Sequence, residues 1–426
     1  MTTIVSLIKQ IYFFGKKITV YLLLLFPYWF GFFVPRNKNL WVFGAWFGER
    51  YSDNSRYVFE YVNKNEPSIK AVWLTRKKEI IDEVRNQSSS AEMIRSWKGY
   101  WMSCRAGAVI VTCDLRDVNR IGLSRAKIIQ LWHGTPLKKI GFDDKITTNP
   151  DRPVFYTLLK KIWYILFPFM EDRWDMLISP SEFVSQRLSS AFNLDLSKIP
   201  VTGYPRGDVI LNHTSDPHVE IFRSVRFEYN VKNIIFFLPT LRERTTGKID
   251  LFHDLDFDAF NKFLIENDAW FFVKMHFYHL KANKPGLMER DHSRIWFLTE
   301  RELPDINYAL PDTDILITDY SSVFFDFVLL NRPVIFTPFD INDYLAKDRE
   351  FYDDYDRLIP GPQCRNWDEV MEKLSDLIKG KDNYIEKRLH AQKLFNTFID
   401  TDNSRRVVRE INYILGKNRV SREQHD

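Results

Sequence analysis

Five short polar segments, each directly after an apolar run, hold the residue types that could do chemistry in this sequence. They are "HGTPLKKIGFD", which begins at His133, "YPRGD" (204–208), "PTLRER" (239–244), "MHFYH" (275–279) and "DYSSVFFD" (319–326). An imidazole titrates near neutrality and can take a proton from an attacking hydroxyl. A guanidinium binds phosphate oxygens through paired hydrogen bonds. Together these segments indicate a site for a phosphate-bearing ligand.

Each candidate side chain also has a purely structural interpretation. His133 precedes Gly134, which permits close approach of the backbone, yet a lone histidine is more often a core residue whose ring bonds to the backbone. His276, two residues after Lys274, is placed to stabilise charge on a leaving phosphate. Arg206 and Arg242 could fork onto phosphate oxygens or could form surface ion pairs.

The stretch "ILITDYSSVFFDF" predicts a buried strand, a turn and a helix that begins near Ser322. Ser321 or Ser322 is suited to cap that helix, and a helix start also favours a phosphate. Capping alone would explain both hydroxyls. Asp326 lies one turn into the helix, where a carboxylate would repel a phosphate, so its expected partner is a sugar hydroxyl or a cationic side chain.

Several other classes of protein find little support in the sequence. Asp312, Asp314 and Asp319 could hold a metal, but the first two precede the apolar strand instead of ending it. There is no Gly-rich dinucleotide fingerprint and no phosphate-loop motif. The net charge of +4, from 60 basic and 56 acidic residues, is too small to indicate a nucleic-acid partner. We therefore expect no metal, no cofactor and no nucleic acid.

Short apolar runs alternate with amphipathic ones from Leu40 onward, which predicts parallel sheets covered by helices. The pattern stops in the polar stretch 211–232 and then restarts. We predict a first Rossmann-like domain at 37–212 on the acceptor side and a second at 233–382 that binds the donor. The charged helices at 383–426 could cross back to the first domain. Two such domains would place their ligand loops along one cleft.

The first 36 residues contain no acidic side chain, and 18–35 contain no charge at all. We predict that 1–36 is a membrane-associating segment that lies in the membrane plane, because Pro27 would kink a spanning helix and aromatic residues favour the headgroup boundary. A signal peptide, a spanning helix and a helix packed on the protein are the alternatives. A second apolar stretch, 155–169, could be core, the wall of a substrate tunnel, or a membrane contact.

The motifs together resemble the CDP-glycerol glycerophosphotransferase family, whose members prime and polymerise teichoic acids and related capsule polymers. The resemblance rests on "QLWHGTPLKKIGFD", "VTGYPRGDVI", "FLPTLRE", "VKMHFYH" and "DILITDYSSVFFDF", which occur in family order. It implies an α/β fold of GT-B type, with two Rossmann-like domains that face a central cleft. It also implies a CDP-activated polyol donor and a peripheral or monotopic location at the cytoplasmic face of the cell membrane.

The resemblance carries a donor site onto this sequence. In addition to the catalytic candidates His133 and His276, the residues it implies are Trp132, Gly134, Thr135, Pro136, Arg206, Pro239, Thr240, Arg242, Lys274, Met275, Ser321, Ser322 and Asp326. Gly207 stands where the family often has Asn, and Lys274 stands where Arg is common. Both departures leave the identity of the donor open.

The implied reaction is attack by an acceptor hydroxyl on the β-phosphorus of CDP-glycerol or CDP-ribitol, which expels CMP. His133 would be the general base, and His276 with Arg242 or Lys274 would offset the charge on the pyrophosphate. The expected acceptor is a lipid-linked or polymeric polyol phosphate or saccharide, and homo-oligomerisation is left open. The alternatives are a GT-B glycosyltransferase that uses a nucleotide sugar and a non-catalytic scaffold subunit that binds a CDP ligand.

Overall fold

The computed structural model describes residues 2–148, 153–240, 250–275, 293–347 and 350–417. The chain forms two compact units that interleave along the sequence. Unit 1 takes the described residues of Met1–His133, Asn149–Ile178 and Val407–Asp426, and unit 2 takes those of Gly134–Thr148 and Ser179–Arg406. The division predicted from the sequence, 1–36, 37–212, 233–382 and 383–426, stays a prediction.

Unit 1 contains a six-stranded sheet whose strand order is β3-β2-β1-β4-β5-β6. Its strands are β1 (Asn37–Phe43), β2 (Lys70–Thr75), β3 (Ser90–Met93), β4 (Ala106–Val111), β5 (Lys127–Gln130) and β6 (Met176–Leu177). All five neighbouring pairs are parallel. Every residue of β4 is buried, as expected for a central strand covered on both faces.

Unit 2 contains a five-stranded sheet whose strand order is β11-β10-β7-β8-β9. Its strands are β7 (Asn233–Leu238), β8 (Ala269–Lys274), β9 (Ile295–Leu298), β10 (Ile315–Thr318) and β11 (Val334–Phe336). The pairing is again parallel throughout. The prediction of an α/β fold with parallel sheets is therefore confirmed.

Helices connect the strands in both units. In chain order they are α1 (Thr2–Phe33), α2 (Asp53–Asn65), α3 (Lys78–Asn86), α4 (Trp97–Arg105), α5 (Lys145–Thr148), α6 (Val154–Leu166), α7 (Glu182–Phe192), α8 (Arg206–Leu211), α9 (Glu220–Glu228), α10 (Phe257–Glu266), α11 (Val323–Phe327), α12 (Ile341–Lys347), α13 (Tyr355–Leu358), α14 (Trp367–Ile378), α15 (Ile385–Phe395) and α16 (Asn403–Ile414).

Aromatic side chains fill the core of unit 2. Trp367 at the start of α14 is fully buried, and its ring contacts Phe237 of β7 at 5.5 Å and Phe271 of β8 at 6.0 Å between centroids. Its indole nitrogen donates to the carbonyl of Leu251 at 2.8 Å. Such edge-to-face contacts add to the free energy gained from burial of apolar area. Aromatic packing of this kind therefore helps to stabilise the sheet of unit 2.

The N-terminal helix α1 is continuous through Pro27 and packs on α6 and the turn that follows it. Tyr21 contacts Trp163 at 5.8 Å, and Tyr28 contacts Phe169 at 5.9 Å between ring centroids. Among the described residues no helix combines the length and apolar character needed to cross a membrane.

Candidate functional site

In unit 1, His133 follows the end of β5 on a loop that side-chain amides hold in place. Gln130 donates through Nε2 to the carbonyl of Cys113 at 2.8 Å and accepts through Oε1 from the backbone N–H of Trp132 at 2.9 Å. Asn54 of α2 donates to the carbonyl of Trp132 at 2.9 Å. Trp132 itself has φ of 54°, a left-handed conformation that costs a non-glycine residue free energy. The chain path into His133 is therefore closely determined.

The imidazole of His133 is half-buried and lies between two indole rings. Its centroid is 4.0 Å from that of Trp132 and 5.4 Å from that of Trp46. Its Nδ1 lies 3.4 Å from the backbone carbonyl oxygen of Thr112 at the end of β4. A carbonyl in that position favours the tautomer with hydrogen on Nδ1. The lone pair of the neutral ring is then on Nε2, the form that a general base needs.

In unit 2, a second cluster forms around Gly134, which has φ of 140°. A Cβ atom at this position would lie 3.3 Å from Oγ of Ser322 and 3.4 Å from Nη1 of Arg206. The backbone conformation favours glycine here, and a Cβ atom would also be tight against Ser322. We call Gly134, Arg206, Ser322 and Asp326 the Arg206 cluster. The structure thus brings together residues from three distant parts of the sequence.

A buried ion pair fixes the orientation of Arg206. Its Nη1 lies 2.9 Å from Oδ2 of Asp326, and both residues are 5% exposed. Arg206 begins α8, and Asp326 lies on α11, which follows β10. Of the two partners expected for Asp326, the structure shows the cationic side chain. Arg206 correspondingly forms a buried ion pair and not a surface one.

The two serines differ in their roles at the start of α11. Oγ of Ser321 accepts from the backbone N–H of Val323 at 3.4 Å, whereas the side chain of Ser322 makes no capping hydrogen bond. The helix is only five residues long, so its dipole is small. Ser321 is therefore the capping residue, and the hydroxyl of Ser322 lies beside Gly134.

Asp319, which the sequence suggested only as a metal ligand, organises the neighbouring loop. Its Oδ1 accepts from the backbone N–H of Thr240 at 2.8 Å, and its carbonyl accepts from the hydroxyl of Tyr355 at 3.0 Å. Pro239 and Thr240 follow β7 and are half-buried. Asp314 instead accepts from Arg226 and from the N–H of Ile234. These carboxylates serve as hydrogen-bond acceptors for nearby protein groups.

Four further predicted site residues lie at or after the ends of β7 and β8, and two of them belong to the described part of the chain. Nζ of Lys274 donates to the carbonyl of Leu303 and lies 3.4 Å from Oε2 of Glu300. The side chain of Met275 is 4% exposed and belongs to the apolar core. His276 and Arg242 lie outside the described residues.

Residues 135–145 are bound to other parts of unit 2. Thr135 is 2% exposed, and the carbonyl of Pro136 accepts from Arg187 at 3.0 Å. Lys139 and Lys145 contact the carboxylate of Glu350 at 2.6 and 2.7 Å and lower its pKa to about 2. The backbone N–H of Tyr352 donates to the carbonyl of Leu137 at 3.1 Å. This network holds the segment that leads away from Gly134.

Sequence reasoning missed the groups that support these side chains. Trp46, Asn54 and Gln130 contact or position candidate residues, yet none was singled out as part of the site, and Asp319 was considered only as a metal ligand. No sequence pattern predicts the hydrogen bond from Asn54 to the carbonyl of Trp132. The only available signal was the position of Gln130 and Asp319 at the ends of apolar strands.

Comparison with known proteins relates nearly the whole chain to one enzyme family. The family model described as CDP-Glycerol:Poly(glycerophosphate) glycerophosphotransferase matches residues 27–413. A teichoic acid glycerol-phosphate transferase of Staphylococcus aureus is 28% identical over 88% of this chain and 93% of its own length. A teichoic acid poly(ribitol-phosphate) polymerase of Bacillus spizizenii is 32% identical over 55% of this chain and 37% of its own length.

A solved structure is similar in fold as well as in sequence. It is the wall teichoic acid polymerase TagF, as a histidine-to-asparagine variant soaked with CDPG. The two chains are 27% identical, superpose with a TM-score of 0.70, and are each covered to 90%.

Proposed function

Because the chain belongs to the CDP-Glycerol:Poly(glycerophosphate) glycerophosphotransferase family, we propose that it transfers a polyol phosphate from a CDP-activated donor to an acceptor hydroxyl and releases CMP. The observation that carries the proposal is the family match over residues 27–413. The acceptor is the growing end of a teichoic-acid-like or capsular polymer. Relatives named for glycerol phosphate and for ribitol phosphate both match, so the donor is CDP-glycerol or CDP-ribitol.

The reaction exchanges one phosphorus–oxygen bond for another. The acceptor oxygen bonds to the β-phosphorus that carries the polyol, and the bond from that phosphorus to the bridging oxygen breaks. The bridging oxygen leaves as part of CMP, and the acceptor proton passes to Nε2 of His133 and then to water. Proton removal by a positioned base contributes about 10²- to 10⁴-fold to such a rate.

The Arg206 cluster supports a role in binding the donor diphosphate. The guanidinium of Arg206, oriented by Asp326 at 2.9 Å, is suited to two phosphate oxygens. The hydroxyl of Ser322 and the backbone at Gly134 offer further hydrogen bonds next to it. Trp132, Thr135, Pro136, Pro239, Thr240, Lys274, Met275 and Ser321 complete the proposed donor site. Lys274 and Arg242 would offset charge on the pyrophosphate.

We assign His276 to charge stabilisation on the leaving group, on the strength of its place in the family motif. Electrostatic stabilisation of this kind needs no metal when cationic side chains supply the charge. The residues that would hold the diphosphate include Arg206, Lys274 and the hydroxyl of Ser322. For the overall architecture we propose the GT-B arrangement, in which two Rossmann-like domains lie around a cleft.

The test is CMP release from purified protein given CDP-glycerol, CDP-ribitol and UDP-linked sugars with a crude polymer acceptor. We expect turnover of a CDP-polyol, and a loss of about 100-fold or more in the variants His133→Ala and His276→Ala. His253→Ala is the matched control, because this histidine has a side chain that is 60% exposed and is no part of the site. Consumption of a UDP-sugar instead would support the glycosyltransferase alternative. Near-normal release by both histidine variants would contradict the assigned roles.

We also propose that unit 1 binds the membrane surface through α1 and α6. Exposed apolar side chains lie on both helices, including Phe26 at 79%, Phe33 at 78% and Ile165 at 77%. The contact of Tyr21 with Trp163 joins the two helices, and we propose that their exposed apolar residues form one membrane-binding surface. Lys16, Lys17, Lys160 and Lys161 are exposed on the same helices and would face anionic headgroups.

Vesicle sedimentation tests this surface. We expect binding to vesicles that contain phosphatidylglycerol, and weaker binding by the double variant Phe26→Asp/Ile165→Asp because each charge opposes insertion. Phe227→Asp is the control, since Phe227 is 91% exposed in unit 2. Equal binding by the double variant and the control would rule out this surface.

A further inference from the structure

The turn after β1 holds consecutive residues in a conformation that side chains disfavour. Trp46, Phe47 and Gly48 have φ of 48°, 59° and 78°. Left-handed backbone is unfavourable for a residue with a Cβ atom. Strain of this kind persists only where surrounding contacts impose it, and it is common at functional sites. We therefore expect that surrounding contacts impose this conformation on the turn and that the turn has a functional role.

The physical cause is a set of hydrogen bonds to the backbone of the turn. The carbonyl of Gly48 accepts from the N–H of Arg76 at 2.7 Å and from the hydroxyl of Thr75 at 2.8 Å. The N–H of Phe47 donates to Oδ1 of Asp117 at 2.6 Å. Asp117 is 0% exposed, so its carboxylate is held inside unit 1.

Asp117 also fixes the strand end that faces His133. Its Oδ2 accepts from the backbone N–H of Thr112 at 2.9 Å and of Cys113 at 2.7 Å. The carbonyl of Thr112 is the group 3.4 Å from Nδ1 of His133. One carboxylate thus orders both the turn that carries the Trp46 indole and the peptide that faces the imidazole.

The side chains of Trp46 and Phe47 in this turn contact different groups. The Trp46 ring lies 5.4 Å from the His133 ring and has the guanidinium of Arg50 at 5.2 Å. The Phe47 ring is 39% exposed and lies under the guanidinium of Arg116 at 4.4 Å. The strained turn therefore places one specific aromatic ring against the proposed base.

We propose that Trp46, held by Asp117, is a positioning residue for His133. The indole and the Thr112 carbonyl together restrict the imidazole to the orientation in which Nε2 meets the acceptor hydroxyl. This inference rests on the proposed function, in which Nε2 takes the acceptor proton. A misplaced base can lower the rate by about 100-fold. The catalytic benefit of a correctly oriented imidazole therefore outweighs the conformational cost of the turn.

The variants Trp46→Gly and Phe47→Gly form a matched pair. Glycine relieves the left-handed strain at either position, so we expect neither melting temperature to fall by more than a few degrees. We expect Trp46→Gly to lower kcat for CMP release by about 10- to 100-fold, with KM for CDP-glycerol changed by less than about 3-fold. Phe47→Gly should keep kcat within about 3-fold of wild type, and Trp46→Phe should restore most of the rate.

A double-mutant cycle separates positioning from a general structural effect. If Trp46 acts through His133, Trp46→Gly should lower the residual rate of His133→Ala by less than about 2-fold. An equal loss in both backgrounds, or a wild-type kcat for Trp46→Gly, would overturn the inference while the base role stands. A wild-type rate for His133→Ala would overturn the base role and, with it, the positioning role. Absence of turnover of any CDP-polyol by the wild-type protein would instead refute the proposed transfer.

Discussion

The surroundings of His133 and the Arg206 cluster reach fixed geometry by different physical means. Around His133, left-handed non-glycine residues at Trp46 and Trp132 are held by hydrogen bonds to backbone groups. In the Arg206 cluster, glycine takes the left-handed position and a buried ion pair at 2.9 Å orients the charged group. The first arrangement has an unfavourable contribution from backbone strain. The second has an unfavourable contribution from desolvation of the two charged groups.

This difference follows from the chemistry proposed for each place. A general base has to be neutral and aimed at one proton, which aromatic packing and a backbone carbonyl can arrange without added charge. A diphosphate ligand calls for a cation, and a buried cation needs a carboxylate partner before the ligand arrives. The two regions should therefore fail in different ways when altered.

The largest loss of stability should follow when the ion pair is broken. Asp326→Ala would remove the carboxylate that pairs with the buried guanidinium of Arg206, and the loss of one partner of a buried ion pair costs about 3–5 kcal/mol in unfolding free energy. The combined replacement Arg206→Met/Asp326→Leu should recover most of that stability while CMP release stays lost. Glu266→Ala is the control, because its pair with Lys262 is exposed and worth less than about 1 kcal/mol. Urea denaturation would measure all three, and equal losses for Asp326→Ala and Glu266→Ala would contradict a buried pair.

A smaller loss should come from substitution of the glycine in the cluster. Gly134→Ala adds a Cβ atom 3.3 Å from Ser322 at φ of 140°, so we expect a loss of about 1–3 kcal/mol and weaker CDP-glycerol binding. Gly380→Ala is the matched control, since Gly380 has φ of 79° and nothing within 4 Å of a Cβ atom. Calorimetric titration should show unchanged donor affinity for the control. Unchanged affinity in Gly134→Ala would separate Gly134 from the donor site.

The pH dependence of stability should have opposite signs for two carboxylates. Burial raises the pKa of Asp117 from its ordinary value of 3.8 to about 7, against the backbone N–H groups that lower it. Between these values the folded state keeps a proton that the unfolded state has lost, so the contribution of Asp117 to unfolding free energy falls as pH rises. Asp117→Asn should remove this slope, and a slope that persists in the variant would assign it to another group.

Glu350 should act at lower pH and in the other direction. Lys139 and Lys145 lower its pKa from 4.5 to about 2. Its contribution to stability is present above the ordinary pKa of 4.5 and is lost as pH falls toward 2. Chemical denaturation between pH 3 and 5 should therefore show a shallower acid dependence for Glu350→Gln, and an unchanged curve would show that this exposed network adds nothing measurable.

The smallest effect on stability should be that of Ser322→Ala. Its side chain makes no capping hydrogen bond, so the change in unfolding free energy should stay within about 0.5 kcal/mol while donor affinity falls. Ser321→Ala should lower the unfolding free energy more than Ser322→Ala does, because Oγ of Ser321 accepts from the backbone N–H of Val323 at 3.4 Å. Thermal melts and donor titrations on both variants would test the division, and it fails if Ser322→Ala destabilises more than Ser321→Ala.

Part of the site could be predicted because it depends on chain-local rules. An apolar run followed by a polar turn marks the end of a strand, and this located His133, Thr240, Lys274 and Ser321 correctly at strand ends. Contacts between distant residues could not be predicted in this way. The partner of Asp326 was open between a hydroxyl and a cation until Arg206, 120 residues away, was found beside it.

By itself, the sequence determined the α/β class, the parallel sheets and the family, because hydrophobic periodicity and motif order depend only on the order of residues in the chain. Only the tertiary structure decided that Asp326 faces Arg206, that Ser321 caps α11, that Trp46 lies beside His133, and that Asp117 orders the backbone on which both depend. The physical reason is that a side chain's partner and burial depend on which segments fold against each other. The residue types alone leave several partners equally acceptable.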